Sequence, residues 1–213
     1  MHLFYARCGM LRGMAERLFP TTRLEAFSDG VLAVVITIMV LELKVPHEDG
    51  FKGLITVAPV LFVYFLSFAF TAIYWVNHHH LIRRVEQCDH MVLYANLAYL
   101  FAASLLPFFT AYVIEKHSDS FSVGLYAASL IFAGLCFFLL RMSIQRLLCR
   151  TGDLSPEDTA MRRKHILSLV IYIAAIPLAQ YHSYIALGAL TLVTIIWIIP
   201  TVRTRSGDSA AQL

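Results

Sequence analysis

The sequence predicts an all-α polytopic membrane protein with six transmembrane helices per subunit, and three observations carry that prediction. Of its 213 residues, 59% are hydrophobic and 15% charged, with a mean hydropathy of +0.69, whereas soluble domains are about half apolar and about a quarter charged. The charges gather in short blocks between apolar runs of roughly 16 to 24 residues, the length that crosses a ~30 Å hydrocarbon core at ~1.5 Å per residue. Six such runs leave both termini on one side. With that side cytoplasmic, only Lys44, Lys52 and Lys116 of the 17 lysines and arginines lie outside, as the positive-inside rule requires.

Taken in order, residues 1–22 scatter Arg7, Arg12, Glu16 and Arg17 among apolar residues, which leaves no continuous core for a cleaved signal peptide. The spacing suits an amphipathic helix on the membrane surface, with a frayed cytoplasmic arm as the alternative. Thr22-x-x-Glu25 after Pro20 reads as a capping box. The first span then runs from Arg23 to Lys44, and Pro46 closes it. The second runs from Leu54 to Val76 with Pro59 one turn in, ending in Trp75-Val-Asn-His78-His79-His80 before Arg83-Arg84. The third, Met91 to Ile114, carries Asn96 and Pro107. The fourth covers Phe121 to Leu140, and the long polar segment Arg141 to Lys164 follows. The fifth and sixth, His165 to Tyr181 and Tyr184 to Pro200, form a hairpin. Residues 23–202 thus make one membrane domain, with an N-terminal cytoplasmic arm over 1–22 and a disordered cytoplasmic tail over 203–213. The expected location is the cell membrane.

The first span is the unusual one, because Arg23, Ser28 and Asp29 occupy its first two turns. An ionised carboxylate inside a span costs roughly 2.5 to 3.5 kcal/mol unless it is paired, and is read as functional by default. On a helical wheel with Val34 at zero, Phe27, Val31, Ile38 and Leu41 fall within about 60° of it, and Thr37 sits at the edge near −60°. Ser28 and Asp29 point to about 120° and 220°, away from that stripe. Lipid contact or ordinary packing would explain the stripe, and a structural lock to another helix would explain Asp29.

Arg23-x-x-x-Phe27-Ser28-Asp29-Gly30 at the start of the first span resembles the signature of the transmembrane protein 175 family, the potassium channels of endosomes and lysosomes and their bacterial relatives. Trp75-x-x-His78-His79, Asn96-Leu97 and Pro107-Phe108 follow that family's pattern in the same order. The resemblance implies a six-helix subunit whose first helix lines a cation pore. It also implies a homotetramer, since this chain carries one copy of a unit that animal members carry twice. The family's filter is made of side chains, and its constricting positions fall on Val34, Thr37, Ile38 and Leu41. A narrow apolar neck gates by dewetting and favours the ion that sheds its water more cheaply, K+ over Na+. Val34 is smaller than the Ile or Leu usual in the family, which leaves Ile38 and Leu41 as the tighter rings. Arg23, Phe27, Ser28, Asp29, Trp75, His78, His79 and Asn96 become the network that anchors or gates helix one. A histidine in it would titrate at about pH 6 to 7 and could shift that helix.

Other chemistry finds little support. His78, His79 and His80 leave a helix in three directions, so they do not form one metal site, and the i, i+4 ligand pair is missing. No nucleophile elbow is present, so no enzyme activity, cofactor or metal is expected beyond K+ as the permeant ion. The basic segment Arg141 to Lys164 suits inner-leaflet lipids better than nucleic acid. Glu42, about 80° from the stripe by the same wheel, is either a solvated flank charge or a lure for cations at the mouth. The competing function is a proton-coupled secondary transporter that uses Asp29 and the histidines as a relay, which expects broken helices around a midplane site.

Overall fold

The computed structural model describes residues 18–151 and 156–198. Of the predicted N-terminal arm over 1–22, residues 1–17 lie outside the described residues, as does the predicted tail over 203–213; Phe19–Pro20 of that arm form a short strand, not a surface helix. The helices are α1 (Thr22–Leu41), α2 (Gly50–Thr56), α3 (Ala58–Ile82), α4 (His90–Ser104), α5 (Leu106–Glu115), α6 (Ser120–Thr151), α7 (Pro156–Tyr181) and α8 (Ser183–Ile198). Five segments are long and apolar enough to cross a membrane: α1, α3, α4 with α5, α6 and most of α7. The shorter apolar α8 is the sixth. The predicted six-span, all-α architecture is therefore observed.

Prolines divide two of the predicted spans. Pro59 sits in the first turn of α3, where its missing N–H costs nothing, so the expected second span becomes a short α2 and a long α3. Pro107 does the same at the start of α5, splitting the third span at Leu105. Two other expectations fall short of the structure. The fourth span does not end at Leu140 but continues as helix to Thr151, because its charges find cover: Arg141 is buried with its guanidinium 5.6 Å from the Phe137 ring centroid. Helix α7 likewise starts at Pro156 instead of His165, so most of the segment expected as a polar loop is helical.

Helix α6 is the hub, packed on α4, α5, α7 and α8. Of its apolar window 61% is buried, against 28% for α1, which leaves α1 at the rim of the protomer. Gly134 lets α7 come close, since a Cβ there would stand 3.0 Å from Leu169. One apolar core, including Leu32, Ile82, Tyr99 and Phe137, joins α1, α3, α4 and α6; a second, including Phe70, Leu106, Tyr126 and Tyr172, joins α3, α5, α6, α7 and α8. In the second, Thr110 Oγ1 donates to Ser67 Oγ at 2.9 Å, and Ser67 shares a 2.8 Å bond with Tyr126.

The start of α1 is held by a strap. Strands β1 (Phe19–Pro20) and β2 (Gln87–Cys88) pair antiparallel, and Thr21 donates its N–H to the Glu86 carbonyl at 3.1 Å and its hydroxyl to the Val85 carbonyl at 2.9 Å. This overturns the expected capping box. Thr21 already has helical dihedrals, the helix begins at the exposed Thr22, and no side chain caps it. The strap is tied down in turn by Asp89, which caps α4 through Val92 N–H at 2.9 Å and pairs with Arg146 of α6.

Candidate functional site

Helix α1 has two faces with different surroundings. Leu24, Ser28, Leu32, Val35 and Met39 are buried, following the 3-4 rhythm of one helix face. On the opposite side Phe27 (56%), Val34 (54%), Ile38 (43%) and Leu41 (78%) are exposed, and Thr37 with them. Val31 is half-buried at the border. The stripe read from the sequence is thus the uncovered face of α1. Exposure alone does not separate it from a lipid-facing surface, since Phe65 of α3 is 62% exposed. Two small residues, Gly30 and Thr37, interrupt its apolar surface. Gly30 faces open space, and Thr37 donates its hydroxyl proton to the Val34 carbonyl at 2.9 Å, which turns its oxygen lone pairs outward.

The buried face carries a directional hydrogen-bond chain. Ser28 donates to the Leu24 carbonyl at 2.7 Å, so its oxygen is left to accept from Asn96 Nδ2 at 2.9 Å. Asn96 Oδ1 then accepts from His78 Nε2 at 2.7 Å. That order fixes the tautomer: the proton of His78 is on Nε2. Ser28, His78 and Asn96 are all buried, and the His78 ring stacks on Tyr99 with centroids 5.6 Å apart. These bonds join α1, α3 and α4 at one point.

Asp29 is placed one residue further round. Its Oδ1 accepts from Trp75 Nε1 at 2.8 Å, and the Trp75 ring stacks on His79 with centroids 5.8 Å apart. His79 Nδ1 lies 3.0 Å from Glu25 Oε1, and its Nε2 is 3.4 Å from Arg83. The structure therefore brings together Ser28, Asp29, Trp75, His78, His79 and Asn96. It does not bring in Arg23, which is exposed and makes no ion pair with a described residue, or Phe27, which points to the opposite face. The three consecutive histidines go three ways: His78 to Asn96, His79 to Glu25, and His80 edge-on against His79. Glu25 and Tyr99 are members that sequence reasoning missed, and Glu25 was hidden behind its reading as a cap.

Replacing Asn96 by Ala removes two interhelical bonds and leaves His78 Nε2–H and the Ser28 hydroxyl oxygen without partners. Such bonds in membrane proteins contribute about 0.6 kcal/mol on average and up to about 1.7. A loss of about 1 to 2 kcal/mol in thermal unfolding of the detergent-solubilised protein is expected, and a value near zero would show that the chain does not hold α1.

Beside the stripe lies an open apolar groove of about 850 Å³, formed between α1 and the α4–α5 break; Gly30, Val34, Ile38 and Glu42 line one wall, Ser104 and Phe108 the other. No group of three or more histidine, cysteine, aspartate or glutamate residues arranged to hold a metal ion is present among the described residues.

Comparison with known proteins follows the same outline. Residues 23–107, which hold the whole network, match the sequence profile of the family described as endosomal/lysosomal potassium channel TMEM175. The chain is 39% identical over 181 residues to a potassium channel of Chryseobacterium sp. (strain P1-3), covering 85% of this chain and 94% of that one. It is 30% identical over 203 residues to a potassium channel of Streptomyces collinus, covering 89% and 97%. In three dimensions it is similar to the crystal structure of a lysosomal potassium-selective channel TMEM175 homolog from Chamaesiphon minutus, with a TM-score of 0.71 at 27% identity over 84% of this chain and 96% of that one. The chain is a multi-pass membrane protein of the TMEM175 family of ion channels, and not an enzyme.

Proposed function

We propose that the chain is one subunit of a homotetrameric, potassium-selective cation channel in the cytoplasmic membrane, with both termini in the cytoplasm and α1 lining the central pore. The observation that carries this reading is the division of α1 into an uncovered stripe, Val34, Thr37, Ile38 and Leu41, and an anchored face, Ser28 with Asp29. A helix bonded to α3 and α4 on one side and bare on the other is what a pore wall needs before its copies assemble. Four stripes around an axis make an apolar neck beside a ring of Thr37 oxygens, whose outward lone pairs suit a partly dehydrated cation. The bacterial relatives named as potassium channels, and the solved potassium-selective homolog, support K+ as the permeant ion. Residues 23–202 form the channel domain, with lipids around it and Arg162 and Arg163, which keep access to the surface, toward the inner leaflet.

The transporter reading gains one observation, the break in the third span at Leu105. It lacks the relay. Asp29 is bonded to an indole N–H, which does not pass protons on, and the His78–Asn96–Ser28 chain ends on a backbone carbonyl. Flux from liposomes loaded with K+, compared with valinomycin, separates the two. Fast, non-saturating, K+-selective efflux is expected; slow flux that saturates like a carrier would favour the transporter.

A further inference from the structure

Glu42 is the C-cap of α1, with backbone dihedrals of −76° and −11°. The C-terminal end of a helix carries the negative end of its macrodipole, so a lysine or arginine is the stabilising choice there and a carboxylate is unfavourable. The last turn of α1 contains no basic residue at all. The next two lysines along the chain are placed on other carboxylates: Lys44 lies 3.9 Å from Glu115 at the end of α5, and Lys52 lies 3.6 Å from Glu48. Among the described residues Glu42 has no ion-pair partner. It is exposed, and it lines the same groove wall as Val34 and Ile38. One helical turn separates it from Ile38, about 40° further round the helix and about 80° from Val34, so it stands at the flank of the stripe.

We infer that Glu42 is a conductance-setting residue: repeated in each copy, it forms an anionic ring that concentrates K+ at the mouth of the pore. This rests on the reading of α1 as the pore wall. The carboxylate and the helix C-terminus act together, each repeated around the axis, and raise the local cation concentration as a charged vestibule does. A position unfavourable for the helix is thereby accounted for by attraction of the permeant ion. The ring selects for charge, not for K+ over Na+, which is left to the neck.

The test uses the full-length protein in planar bilayers, with K+ varied on the side where α1 ends. E42Q is expected to conduct about two- to threefold less than wild type at about 20 mM K+ and to match it at about 1 M, where screening acts within about 3 Å. E42D should stay near wild type and E42K fall below E42Q, with reversal potentials unchanged in all three. Conductance of E42Q equal to wild type at low K+ overturns the ring. A second measurement needs no variant: at fixed low K+, adding N-methylglucamine chloride should reduce the wild-type conductance, and an unchanged conductance overturns the ring equally. Absence of K+ current from the wild type would instead remove the pore reading and the ring with it.

Discussion

Ile38→Asn is expected to move the reversal potential under opposing K+ and Na+ solutions to about zero, the value for a pore that does not tell the ions apart. Ile38 is on the uncovered face of α1 and lines the groove, so the substitution buries nothing and folding should be unaffected. The effect comes from hydration. An apolar ring offers no replacement for lost water, so passage costs whatever the ion must shed, and Na+ holds its water more tightly than K+. An amide at each copy supplies oxygens that compensate both ions and removes the difference. Leu41→Asn should act in the same direction. An unchanged reversal potential in both would clear these residues of the role.

Asp89→Ala is expected to lower stability by about 2 to 3 kcal/mol in thermal unfolding of the solubilised protein. Losing the cap on α4 accounts for about 1 kcal/mol. The rest comes from Arg146, which would lose its carboxylate partner. A fully buried broken pair costs about 3 to 5 kcal/mol, but Arg146 retains 28% exposure and can turn toward water, so the lower end applies. Asp89→Asn, which keeps an acceptor for Val92 N–H, should cost less. Equal losses in the two variants would show that the ion pair, not the cap, dominates. Because Asp89 steadies the loop that holds Thr21, the same change should loosen the start of α1.

Much of this architecture is legible in the sequence, for a physical reason: a lipid environment forces the backbone into helices, so hydropathy runs read as spans. The two faces of α1 were legible as well, because a step of about 100° per residue sorts Val34, Ile38 and Leu41 from Ser28 without tertiary information. Partners were less so. Asp29 and Trp75 are 46 residues apart, and nothing local says that the indole, not Arg23, answers the carboxylate. The resemblance grouped Ser28, His78 and Asn96, but their order in the chain of bonds depends on which lone pair each leaves free. The strap was invisible, since strands of two residues, one of them Pro20, carry no period. Pro59 and Pro107 were seen but placed inside helices, where the structure uses them to begin new ones. Arg141 opens the expected polar segment after Leu140, because burial under an aromatic ring cannot be seen from charge alone.

The central claim is that the uncovered stripe of α1 faces the ion path and not lipid. Ag+ is close to K+ in size and bonds thiolates, so the direct measurement is its effect on current through Ile38→Cys in a background with the native cysteines replaced. The pore account predicts that Ag+ added during conduction stops the current irreversibly, while the same change at Phe65, exposed on α3, leaves it intact. Persistent current through Ile38→Cys after Ag+ treatment, with the thiol shown to be modified, would contradict it.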